Sequence, residues 1–186
     1  MSQNHQALTD KVRIQSIELL NQNLANAIDL HAQLKTAFWN VQITGLINIK
    51  RLLDINSKSA LEFEDLIAER ISALGGHVFG NIQFSSNNSV LIPYEIGVCP
   101  EIEHGFAVSA SLAAYSQAVS SAIAASTKIH DFTTAEVFSN ILKITDAALR
   151  RLSLHLDAHC PIPFTDDENA APVKHFEKYA KLEKLI

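Results

Sequence analysis

The stretch "GGHVFGNIQFSSNNSVLIPYEIGVCP", residues 75–100, is where the pattern of this chain breaks. On either side, apolar residues recur every three or four positions over long distances, the spacing of one helix face. Inside it stand Gly75-Gly76, the polar run Ser85-Ser86-Asn87-Asn88, Pro93 and Pro100. The glycine pair ends a helix. Two long helical stretches precede the break and two follow it, so the break itself sets the topology. Short loops join antiparallel neighbours, whereas a connection spanning residues 75–103 can travel the length of a bundle.

Working outward, the stretch before the break predicts a helix from about Ile47 to Leu74, with Ile49, Leu53, Ala60, Phe63, Ile67, Ile71 and Leu74 inward. A helix from about Asp10 to Asn40 precedes it, with Ile17, Leu20, Leu24, Ile28, Leu34 and Phe38 on one face. After the break, a third runs from near Glu103 to His130 and is rich in Ala and Ser, so a neighbouring helix can approach closely. Thr133-Thr134-Ala135-Glu136 has the form of a capping box opening the fourth. That helix carries Val137, Ile141, Ile144, Ala148 and Leu152 on one face and stops near Cys160-Pro161. The expected fold is all-α, a ferritin-like four-helix bundle with one long crossover between helices two and three. Residues 1–162 form the bundle. Residues 163–186 form an extension, with the polar linker TDDENAAP followed by VKHFEKYAKLEKLI, which has the pattern of a short docking helix.

Composition is consistent with one domain. The chain has 186 residues, 47% hydrophobic and 19% charged, ordinary values for a globular protein with a sizeable core. A formal charge of −5 gives no support to a nucleic-acid-binding body. Cys99 and Cys160 make no disulfide framework, the N-terminus MSQNHQALTDKVR has no apolar leader, and no apolar run would span a bilayer. These features predict a soluble cytoplasmic protein.

Asp54, Asp65 and Glu69 fall on one narrow stripe of the second helix, roughly opposite its apolar face. Lys50, Lys58 and Glu62 lie on or beside it, and Lys50–Asp54–Lys58–Glu62 has the spacing of an i,i+4 ladder. Periodicity alone makes this a solvated helix face. Geometry limits any metal reading, because Asp54 and Asp65 stand about 16 Å apart along a straight helix. They could serve one ion only if two copies of the helix crossed antiparallel at a two-fold axis. An in-chain di-iron centre is disfavoured, since Glu101–His104 supplies the one Glu-x-x-His motif, at a helix start where capping and surface charge explain it.

Three further segments carry a resemblance. "AFWNVQITG" at 37–45, "LLD" at 52–54 and "EDLIAERISALGG" at 64–76 resemble the Dps family of mini-ferritins, in order and without a gap, across about residues 18–160. The resemblance implies a hollow homododecamer that oxidises Fe(II), generally with hydrogen peroxide, at centres on two-fold axes, and stores ferric mineral inside. It implies that Asp54 of one subunit joins Asp65 and Glu69 of its neighbour as ligands. The family's two histidines are absent: Phe38 precedes the Trp-Asn pair, and Lys50 lies four residues before Asp54. Neither a phenyl ring nor a protonated ammonium ligates iron.

Other histidines could complete a displaced centre. Across an antiparallel pairing, His77 falls near the end of the neighbour's first helix, close to the end of its fourth. That end reads "LSLHLDAHC", with His155 and His159 four apart and expected to point inward. Imidazole serves iron and zinc equally. The expected centre therefore combines His77 of one subunit with His155, or His159, of the next, and Glu69 or Asp65 as carboxylate. The alternative is that the paired histidines simply favour a helix C-terminus and His77 caps a loop. His31 is expected to be a satisfied core residue. Strong DNA binding is not expected, because Lys174, Lys178, Lys181 and Lys184 are interleaved with Glu177 and Glu183. A second expectation keeps the cage without catalysis, with Lys50 paired to a carboxylate and a structural or zinc-sequestering role.

Overall fold

The computed structural model describes residues 8–41, 47–94 and 101–159. Cys99, the linker and the C-terminal segment lie outside them. Five helices occur among the described residues: α1 Asp10–Asn40, α2 Ile47–Ala73, α3 Ile82–Asn88, α4 Glu101–Lys128 and α5 Phe132–His159. The four long ones match the expected bundle.

Cross-contacts give their directions. Lys50 Nζ donates to Val41 O at one end of the α1–α2 pair, and Arg13 reaches Leu74 O at the other, so the two run antiparallel. Ser16–Asp131 and Gln33–Ser111 set α4 antiparallel to α1. Ser116–Asp146 and the approach of Gly105 to Leu156 set α5 antiparallel to α4. Hence α2 and α4 run parallel, and the chain between them has to traverse the bundle. Leu20, Leu34, Leu53, Ile67, Ile71, Leu112, Phe138 and Ile141 fill the core, with Phe63 stacked on the buried Tyr115 at 6.0 Å between ring centres. Each such side chain contributes about 1.5–3 kcal/mol by leaving water. Ile144, expected inward, is 40% exposed on a single subunit.

The crossover is held by side-chain amides of α1. Asn21 donates to His77 O and accepts from Phe79 N. Gln22 donates to Asn88 O, Asn26 accepts from Val90 N, and Gln33 donates to Ile92 O. Asp29 accepts from Ser89 Oγ. Asn21, Asn26 and Gln33 are buried polar groups, and the backbone of the crossover satisfies them. The short α3 was not expected from its Ser-Asn run. Asn81 caps it, accepting from Phe84 N, and the clasps on either side hold it in place.

Two helices end in the same way. Gly76 N bonds Ile71 O and Gly75 N bonds Ser72 O after α2, while Asp131 N bonds Ser126 O and His130 N bonds Thr127 O after α4. Both are Schellman turns with a left-handed residue, Gly75 at φ 72° and His130 at φ 62°. The expected capping box at Thr133 is corrected: Asp131 caps α5, accepting from the backbone N–H and hydroxyl of Thr134.

Candidate metal centre

The stripe on α2 forms as its periodicity predicts, but its residues differ in engagement. Asp54 is half-buried and accepts from Lys58 Nζ at 2.7 Å. That hydrogen bond, opposed by burial and reinforced by the charges of Lys58 and Lys35, holds its carboxyl below the usual range. Asp65 and Glu69 are exposed, one turn apart, and neither has a hydrogen bond or ion pair among the described residues. The expected charge ladder therefore forms one rung, Lys58–Asp54. Lys50 has no carboxylate partner among the described residues; its ammonium donates to Val41 O at 2.8 Å.

The two positions where the family pattern has histidine touch each other. Lys50 Nζ lies 5.0 Å from the centre of the Phe38 ring, and Lys35 Nζ lies 4.6 Å from the same ring. Lys35 also stands 5.7 Å from the Trp39 ring, which is 69% exposed. Two ammonium groups on one phenyl ring form a cation–π cluster. A divalent cation meets repulsion there instead of ligands.

His77 lies just beyond the turn that closes α2, at the same end as Glu69, with its side chain exposed. His155 lies at the opposite end of the bundle; it is half-buried, and its Nδ1 is 3.1 Å from Arg151 O. His159 belongs to the last turn of α5, and its side chain is outside the described residues. Among the described residues of one subunit, no three His, Cys, Asp or Glu side chains converge to hold a metal. The described residues of one subunit therefore do not by themselves assemble a centre.

Other motif residues serve the scaffold. Arg70, next to Glu69, donates to Asp131 at 2.9 Å and to Thr134 at 3.0 Å, tying α2 to the start of α5. Ser16 of α1 donates to the same Asp131 at 2.6 Å. Burial works to raise the Asp131 carboxyl, but the Ser16 and Thr134 hydrogen bonds and the Arg70 charge together hold it below the ordinary range. His31 is satisfied as expected, its Nδ1 2.9 Å from Glu64 Oε1, but it is half-buried and not part of the core. Burial raises the Glu64 carboxyl against the opposing pull of His31, and burial also pushes the Tyr115 phenol strongly upward. His104, expected at the surface of a helix start, is instead buried and bonds the Tyr94 hydroxyl where the crossover enters α4.

Comparison with known proteins agrees with this architecture. The family model of the ferritin-like domain matches residues 17–159. The DNA protection during starvation protein of Agrobacterium fabrum is 31% identical over 140 residues, covering 75% of this chain and 86% of that protein. Among solved structures, DpsC from Streptomyces coelicolor superposes with a TM-score of 0.76 at 24% identity, covering 83% of this chain and 91% of that one. An archaeal Dps homologue from Halobacterium salinarum gives 0.74 at 20% identity, covering 89% and 91%. With the helix order, the crossover and the α2 stripe in place, the match over most of the bundle makes this chain a member of the Dps family of ferritin-like proteins.

Proposed function

We propose that the chain is a cytoplasmic mini-ferritin that binds Fe(II), oxidises it with hydrogen peroxide or oxygen at sites shared between subunits, and stores ferric mineral inside a dodecameric cage. The carrying observation is the pair of exposed carboxylates Asp65 and Glu69, without partners among the described residues and one turn apart on a face that also carries Asp54. Carboxylates and imidazoles are a competent ligand set for Fe(II). Glu69 or Asp65 would serve as the carboxylate beside His77 of one subunit, while His155 or His159 approaches from the next, whose Asp54 faces the Asp65–Glu69 pair. Each Fe(II) gives up one electron; a peroxide takes two, its O–O bond breaks, and proton uptake leaves water. DNA association is expected to be weak.

Stopped-flow absorbance after mixing Fe(II) and peroxide tests this reading, and the expected result is oxidation faster than in buffer. His77→Ala and His155→Ala are each expected to weaken Fe(II) binding by about tenfold or more, the scale of ~1.4 kcal/mol per lost contact. A rate equal to that of buffer, with unchanged affinity in both variants, would reject catalysis and the displaced centre together. A second reading has its own observation: the Phe38–Lys50 contact puts a protein cation where the family pattern has ligands. On that reading the cage assembles without catalysis and has a structural or zinc-sequestering role.

A further inference from the structure

The outward stripe of α2 is electrically lopsided. Lys50 and Lys58 lie in its first half and Glu62, Asp65 and Glu69 in its second, all within an arc of roughly 120° on an ideal helix. Asp54, the acidic group of the first half, is already held by Lys58. This order opposes the helix dipole, which favours carboxylates near the start and ammonium groups near the end. Lys50 sits in the first turn, and none of the acidic residues does. Between the two blocks Leu61 is 47% exposed.

The resemblance implies that α2 meets α2 of a second copy across a two-fold axis, and from this charge pattern we infer that lysine–carboxylate ion pairs close that contact at the position where the family places metal. One register sets Lys50 against Glu69 of the partner subunit and Lys58 against Glu62 of the partner subunit, with Leu61 next to the midpoint. A two-fold axis repeats each pair. Parallel docking would set like charges side by side. Lys50 can serve such a contact because Val41 O and the Phe38 ring orient its ammonium while leaving N–H donors for a carboxylate. The inference rests on the two-fold sharing of α2 proposed above and names what closes it. Fe(II) and lysine then compete for Glu69, so the contact itself sets the demand on incoming metal.

Charge reversal between subunits tests this with full-length protein in chelator, where iron chemistry plays no part. Lys50 and Glu69 are about 28 Å apart along one helix, so they interact only across an interface. Wild type is expected to assemble in chelator and to dissociate as salt rises. K50E and E69K should each raise the protein concentration needed for assembly by about tenfold or more. An equimolar mixture of the two variants should restore assembly, because each supplies the charge the other lacks. Circular dichroism identifies a variant that has merely unfolded. The inference is overturned if folded K50E and E69K assemble like wild type, or if their mixture assembles no better than either alone. Failure of iron oxidation with intact charge rescue would sink the catalytic reading and leave this one standing.

Discussion

His130 and Gly105 show how little room single positions leave. His130 occupies a left-handed conformation in which a Cβ is strained, and its equivalent after α2 is glycine. His130→Gly is expected to stabilise the protein by roughly 0.5–1 kcal/mol, read as a higher midpoint in urea. Gly105 has the reverse constraint, since a Cβ there would stand 2.6 Å from Leu156 Cδ2. Gly105→Ala should destabilise by about 1–3 kcal/mol through overpacking, seen as earlier thermal unfolding. Sequence reading found Phe38 and Lys50 as departures from the family pattern. It could not show that they touch, because their contact joins the end of α1 to the start of α2 across residues 42–46, whose sequence has no helical period.

At the scale of helices, the buried clasp of Arg70, Asp131, Ser16 and Thr134 ties three elements at one end of the bundle. Asp131→Ala would leave the Arg70 charge without its carboxylate and remove the α5 cap, an expected loss of about 3 kcal/mol. Because the folded Asp131 carboxyl lies below its unfolded value, its contribution is present above the ordinary Asp range. It is lost as pH falls through the depressed value. Asp131→Asn should therefore flatten the acid limb of stability against pH, measured by denaturant unfolding across that range. The ends of α1 and α2 were legible because 3.6-residue periodicity and the glycine pair mark them. α3 was not, because a seven-residue helix has no face long enough to show a period and depends on a cap and tertiary clasps. The α5 start was displaced in sequence reading because Thr133-x-x-Glu136 imitates a capping box that Asp131 pre-empts.

The four-helix arrangement was legible as a whole because one long irregular stretch divides two helical pairs. The candidate centre was less so, since the Asp54–Asp65 spacing calls for a second copy but does not say which of its side chains would meet the stripe. The outward stripe nonetheless bears on the pairing proposed above: apart from the Lys58–Asp54 rung, its order of charges opposes the dipole of its own helix. On the reading proposed above, metal chemistry on it is coupled to assembly. Dilution at high salt should lower Fe(II) affinity along with cage mass, a correlation that titration of metal binding against protein concentration will reveal.

The amide clasps along α1 bear on how this fold tolerates change. They grip the crossover backbone at both sides of α3, at His77 and Phe79 and then from Asn88 to Ile92. The segment between them has no such grip from α1, and Ile82 there is 81% exposed. Added residues between Gly80 and Asn81, ahead of the α3 cap, should loop outward with little loss. One residue inserted between Asn88 and Val90 would put every later clasp out of step and strand buried amides, at about 1–3 kcal/mol for each. The crossover is thus a calibrated strap, free to lengthen at one place and fixed in phase at another.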